Sequence, residues 1–486
     1  MLNPRQIADD GLLSRRALMQ RAALGSGWAA LASLLTSADP AHGASSGAGR
    51  DVRTRSPVFP AKAQRVVLLF QHGGPCQFDL FDPKPVLKQY DGKPVPGGVE
   101  VFFDKEDSGR CTPSPFSFAK HGQSGMEFSE LLPRLAGCAD DLCQIRSMYT
   151  VVNDHEGALR HFQTGKPRAG RPSMGSWITY ALGTINQQLP PYVVLSDPTY
   201  DQIDGVRNWS SGWLPAIYQG TPLRAEGSAL FNLSLPEEVD QHLQRSQLDL
   251  LDYLDRQHRR RFPHLDELDA RIANNTLALT LKDSVTDALD LKQETAETRK
   301  LYGMDNPGTG TYGRRCLMAR RLLESGVRFV AVFNDNIEKS PGDPWDTHFK
   351  HNERMRWVTE NVDQPSAALI QDLKRRGMLQ DTIVIWCGEF GRLAESQGDN
   401  GRDHNRHGFT GLVAGGGFAA GLTYGATDDF SYKVVDKPVS IGEFHATLLH
   451  QLGLHHDKLI YPHQGRDESL TDADITGVNP VTELIS

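Results

Sequence analysis

Thr382-Ile-Val-Ile-Trp-Cys-Gly-Glu-Phe-Gly-Arg392, followed by Gly401-Arg-Asp-His-Asn405, decides the fold. The apolar, β-branched run from Thr382 to Trp386 is short and continuous rather than alternating, the pattern of a strand buried on both faces. Such strands belong to parallel sheets covered by helices on either side. The run breaks at Gly388, and the next side chain is a carboxylate, Glu389; Asp403 and His404 follow one loop later. In open α/β sheets ligands bind beyond the carboxyl ends of the strands, so an acid at this break is a candidate for chemistry.

Upstream, Asp363 to Arg376 predicts a helix stopped by Gly377, and Val327 to Phe333 is another continuous apolar run. Strand, helix, strand in this order is the crossover unit of a parallel sheet. Past Phe333 comes Trp345-Asp-Thr-His-Phe-Lys-His351, where Asp346, His348 and His351 are spaced for ligation from a loop or a first helical turn. Arg314 to Glu324 predicts a helix ended by Gly326. The first strand, Arg65 to Gln71, runs into His72-Gly73-Gly74, whose glycines let backbone approach a ligand closely. Phe128 to Leu135 predicts a short helix and Cys143 to Met148 a strand leading to Asn153-Asp154-His155. His155, Leu159 and Phe162 share one helical face, so His155 opens a helix, where unsatisfied N–H groups favour anions. Arg171 to Trp177 starts a further helix with Pro172 in its first turn, and Pro191 to Leu195 is a strand. Leu412 to Ala414 reads as a strand entering a glycine turn. Ser440 and Glu443 form a capping box for a closing helix in which His445 and His450 are structural.

The remaining segments are organised by composition. Residues 1–45, with Arg15-Arg16 before a modest apolar stretch and a small-residue tail, read as a twin-arginine export signal. Residues 46–64 are a polar linker, and about 235–305 is a charged, leucine-spaced helical insertion. A net charge of −8 argues against nucleic-acid binding. After the leader no apolar run approaches the roughly 18 residues that span a bilayer. Six scattered cysteines are too sparse for a disulfide scaffold; Cys138 and Cys143 are left either as a pair or as buried thiols.

Collected, the strand-end residues are His72, His155, Asp346, His348, Glu389, Asp403 and His404. Mixed imidazole and carboxylate donors suit zinc, manganese or iron. Two such ions about 3.5–4 Å apart would clamp the attacking and leaving oxygens of a phosphoryl- or sulfuryl-type displacement. Whether Asp79, Asp82, His351 or His445 join them stays open. No GxxxxGK[ST] loop or HExxH is present, and no GxSxG elbow follows a predicted strand.

The blocks Phe70-Gln-His-Gly-Gly-Pro-Cys-Gln-Phe-Asp-Leu-Phe-Asp-Pro-Lys84, Arg171–Trp177, Trp345–His348, Gly388–Arg392, Gly401–His404 and Gly465–Asp467 together resemble the domain of unknown function 1501 family. That family is grouped with the alkaline-phosphatase-like and sulfatase superfamily. The resemblance implies a three-layer α/β/α fold with a mostly parallel sheet, in an exported bacterial protein that is periplasmic or extracellular. It places Glu389 and His404 at metal-ligand positions, His72 at a first-strand acidic ligand and His155 at the nucleophile. Phe390 stands where phosphatases have histidine, and the sulfatase Cys-x-Pro-Ser-Arg motif is absent. The expected function is a metal-dependent hydrolase of phosphate or sulfate esters, small or polysaccharide, with His155 catalytic. The metals would sit on His72, Asp346, His348, Glu389, Asp403 and His404. The alternative is a non-catalytic binding protein for envelope or extracellular polysaccharide.

Overall fold

A computed structural model describes residues 52–102, 109–197, 202–225, 241–262, 289–334, 344–398 and 400–486. The expected leader, and much of the expected insertion, lie outside the described residues. The strands that matter are β1 (Arg65–Phe70), β2 (Leu142–Tyr149), β3 (Tyr192–Leu195), β4 (Thr221–Leu223), β5 (Phe329–Phe333), β6 (Thr382–Cys387), β7 (Gly391–Gln397), β8 (Gly401–Asn405), β9 (Phe409–Ala414), β10 (Leu422–Tyr424) and β11 (Val439–Ser440). The helices that matter are α1 (Gln77–Leu80), α2 (His155–Thr164), α3 (Met174–Leu182), α4 (Gln241–Arg261), α5 (Gly310–Glu324), α6 (His351–Arg375) and α7 (Ile441–Gln451).

The central sheet has the order β10-β2-β9-β6-β1-β5-β3-β4, with β11 also on β2. Every pairing is parallel except those of β9, which runs antiparallel to β2 and β6. Between β6 and β9 the chain makes the β7–β8 ribbon and no crossover helix, and β9 runs back along β6. Because β9 reverses twice, β2 points the same way as β6, β1 and β5. Their carboxyl ends therefore open on one edge.

Both faces of the sheet are covered. Val67 and Leu69 of β1 pack with Tyr312 and Leu322 of α5 and Val358 and Leu369 of α6. Val66, Leu68 and Phe70 pack on the other side with Phe162 of α2, Trp177 of α3 and Phe444 of α7. Each fully buried side chain of this size contributes on the order of 1.5–3 kcal/mol relative to exposure, which is why the unbroken apolar runs settle in the middle layer. The architecture is the three-layer α/β/α arrangement with a mostly parallel sheet. Of the insertion, α4 is described as a mainly solvent-facing helix in which Leu251 and Asp255 are buried. Among the described residues no helix is long and apolar enough to cross a membrane.

Local expectations change in three places. The helix expected from Asp363 begins instead at His351 and runs through Pro365. Asp363 caps a different segment, its carboxylate accepting the N–H groups of Arg134 and Leu135 at 2.9 and 2.8 Å. Residues 128–135 are not one helix: Met126–Ser129 pairs with Phe118–His121 as a hairpin, and only Pro133–Ala136 is helical. Alternate burial of Met126 and Phe128 explains this, since it has the period of a strand. Helix α3 starts after Pro172, with Ser173 as its N-cap. The six cysteines, Cys138 and Cys143 among them, are buried thiols rather than disulfides. The capping box forms as expected, with the Ser440 side chain taking the Glu443 N–H and Glu443 taking that of Ser440.

Candidate metal centre

The site is assembled where β1, β2, β5 and β6 end. Beyond β1, Gly73 has φ +106°, and a Cβ there would lie 2.6 Å from the Asp346 nitrogen. Only glycine lets this turn lie against the segment carrying Asp346 and His348. Beyond β2, the Asp154 side chain accepts the Gly157 N–H and caps α2, so His155 leads the helix. The stretch between Glu389 and His404, expected as a loop, is an antiparallel ribbon of β7 and β8. Its register shifts between Arg402 and His404, and a bulge of this kind re-aims the side chain that follows it. Gly401 makes room beneath: a Cβ there would be 2.0 Å from the His348 carbonyl oxygen.

Four of the seven strand-end residues come together. One ligand atom each from His155, Asp346, His348 and His404 lies within 4.8 Å of the others. Asp346 Oδ1 is at the centre, 3.2 Å from His155 Nε2, 2.9 Å from His348 Nε2 and 3.5 Å from His404 Nε2. The His348 and His404 Nε2 atoms are 2.9 Å apart. Behind each imidazole stands an acceptor for Nδ1–H. Glu389 Oε1 takes that of His155 at 2.7 Å, the Asn153 carbonyl that of His404 at 2.7 Å, and Gln397 Oε1 that of His348. With each Nδ1 carrying the proton, each Nε2 presents a lone pair. Three lone pairs and a carboxylate oxygen then face one point, and only a cation or protons can occupy it.

The electrostatics follow. Burial opposes charge on His155, but Asp346 and Glu389 outweigh it and raise its pKa to about 9. Burial, helped by the nearby Arg392 and His155 charges, pulls His404 down to about 3. Burial also opposes ionisation of Asp346, yet Arg392 and the surrounding imidazoles hold its pKa far below the usual carboxylate range. The Arg392 guanidinium is fully buried, 2.7 Å from Asp346 Oδ1, and donates to the carbonyls of Gly73, Gly74 and Arg402. Nothing in its sequence context but the Gly388–Arg392 block marked it. Phe102 stacks on His404, with ring centroids 4.9 Å apart.

The other three expected ligands stand outside this group. Glu389 is fully buried and accepts from His155 and from the Gly73 N–H. His72 is buried beside Glu389, with burial lowering its pKa to about 4. Asp403 accepts the Phe102 N–H at 2.6 Å and its neighbour's N–H at 2.9 Å. Of the residues left open, Asp82 pairs with Lys84 and Arg146, and His445 donates to the Phe162 carbonyl. Asp79 and His351 form a second cluster with Cys76.

The model of a family described as "Protein of unknown function (DUF1501)" matches residues 63–485. No curated protein matches the chain. Among solved structures it is similar to a lipoteichoic acid synthase from Listeria monocytogenes (10% identity, 83% of this chain and 76% of that one, TM-score 0.34). It is similar also to a sulfatase from Pseudoalteromonas sp. (12% identity, 81% and 68%, TM-score 0.32). A third is a protein in the alkaline phosphatase superfamily from Vibrio parahaemolyticus (11% identity, 87% and 74%, TM-score 0.33).

Proposed function

The chain belongs to the DUF1501 family, and from that premise we propose that it is a divalent-metal-dependent hydrolase of phosphate or sulfate esters. Residues 1–45 we assign as a twin-arginine leader that sends the folded chain to the periplasm or beyond. One observation carries the reading: three imidazoles, each with Nδ1–H given to an acceptor, turn Nε2 toward a single carboxylate oxygen.

His155, Asp346, His348 and His404 are the ligands, a donor set that suits zinc, manganese or iron. In this reading the four ligands hold one ion; the number of ions was left open by the sequence. Bound there, the ion supplies a Lewis acid for an ester oxygen. Glu389 acts on His155, fixing its tautomer and raising its donor strength, as carboxylates behind ligating histidines do. His155 is thus a ligand rather than a nucleophile. Arg392 keeps Asp346 ionised and adds a second fixed positive charge, which favours an anionic substrate group. The four grouped side chains are three imidazoles and a carboxylate, none of them a hydroxyl or thiol nucleophile, so in this reading attack falls to water. The same fact favours a second reading, a binding protein for an envelope or extracellular polysaccharide that performs no turnover.

Elemental analysis of protein folded and exported by a bacterial host, followed by aryl phosphate and aryl sulfate panels, separates the readings. About one divalent ion per chain, with turnover lost in His404→Ala, is the expected result. Turnover that survives exhaustive chelation would sink the metal-dependent reading; metal without turnover on any ester leaves the binding protein.

A further inference from the structure

Asp79 lies in α1, fully buried, and does not reach the metal centre. Its Oδ2 gathers contacts from distant parts of the chain. His351 Nε2–H donates to it at 2.8 Å and Cys76 S–H at 2.9 Å, and Arg402 Nε forms an ion pair at 2.9 Å. Two of these lead to the centre. His351 Nδ1 accepts from the Thr347 hydroxyl at 2.7 Å, and Thr347 sits between Asp346 and His348. Arg402 N–H donates to the Thr347 carbonyl at 3.0 Å, and Arg402 is two residues before His404 on β8. The segment bearing Asp346 and His348 and the strand bearing His404 are thus both tied to one carboxylate.

We propose that Asp79 is a positioning residue that sets the separation of Asp346 and His348 from His404, through Thr347–His351 on one arm and Arg402 on the other. The proposal rests on the metal-centre reading above. Cys76, Asp79 and His351 are themselves close enough to hold a cation. However, at Asp79 Oδ2 the thiol and imidazole already donate to the carboxylate, and Arg402 supplies the balancing positive charge. A divalent ion would have to expel the thiol and imidazole protons.

Cobalt(II) titration with the visible spectrum as readout tests this, because the spectrum reports ligand geometry independently of turnover. Wild type should bind cobalt with ligand-field bands and no thiolate charge-transfer band. Asp79→Asn should lose about 10–100-fold in affinity and change the bands, as other outer-shell substitutions do. Thr347→Val, which cuts one arm and keeps the Asp79–Arg402 pair, should shift the bands in the same direction and serves if Asp79→Asn does not fold. Cys76→Ala, which touches neither arm, should leave them unchanged. Folded Asp79→Asn or Thr347→Val with wild-type affinity and spectrum would overturn the proposal while leaving the centre intact. A thiolate band lost in Cys76→Ala would overturn it by giving the buried cluster its own metal. Wild type that binds no cobalt would instead sink the centre, and this proposal with it.

Discussion

Two clusters of ligand-type side chains share the 345–351 segment, and they are built on opposite principles. In His155/Asp346/His348/His404 the protons point outward, to Glu389, Gln397 and the Asn153 carbonyl, leaving acceptor facing acceptor. In Cys76/Asp79/His351 the protons point inward, from thiol and imidazole to one carboxylate, and Arg402 neutralises it. In both groups one ligand atom per residue lies within 4.8 Å of the others. Each carboxylate also has a buried guanidinium beside it, Arg392 at Asp346 and Arg402 at Asp79, so residue type, spacing and resident charge do not separate the two groups; the placement of protons does.

The most damaging test of this contrast is Asp346→Ala. Removing the shared oxygen should lower metal affinity by more than about 100-fold, beyond the effect of outer-shell changes, as read by competition with a chelating dye. Retained affinity would mean that the convergence around Oδ1 is incidental. A smaller effect belongs to Glu389→Gln, which keeps an acceptor for His155 and deletes the charge. Affinity should fall about tenfold, and His155 should titrate lower than about 9 in the metal-free protein, followed by NMR.

The clusters should also part in their response to pH. In metal-free protein His155 is raised to about 9 from an ordinary 6.5. Folding then takes up a proton, and the stability this adds is full below pH 6.5 and lost as pH rises through 9. His351 is lowered to about 4, first by burial and then by Arg402. There the unfolded chain takes the proton, so stability falls as pH drops from 6.5 toward 4. His72, at about 4, and His404, at about 3, add to the acid-side loss. Thermal melts of chelated protein should peak near pH 6.5, and added metal should raise Tm more at pH 9, where it need not displace a proton. A metal-induced gain that shrinks between pH 7 and 9 would contradict the His155 assignment. The least effect is expected from Asp403→Asn: affinity within about twofold, with about 1 kcal/mol of stability lost from its weakened backbone contacts.

Much of the fold was legible in the sequence. The run Thr382–Trp386 could satisfy its burial only in a covered parallel sheet, and Ser440 with Glu443 announced a helix start by local hydrogen bonding alone. Pro365 misled because its preceding residues looked like a helix start, whereas Asp363 spends its carboxylate on Arg134 and Leu135, over two hundred positions away. The strand-end residues were readable as candidates, since the strands of a parallel sheet end on one edge, and four of them, His155, Asp346, His348 and His404, lie together.

Which of those residues face one another was settled only by the tertiary structure. A bulge between Arg402 and His404 turns the imidazole toward Asp346 and leaves Asp403 to the backbone of Phe102. Glu389 reaches His155 and Gly73 rather than the central point, and Arg392 meets Asp346 from 46 positions away. Sequence specifies which atoms can bind protons or cations. Where each proton resides depends on acceptors such as the Asn153 carbonyl, 251 positions from His404, which only folding brings into reach.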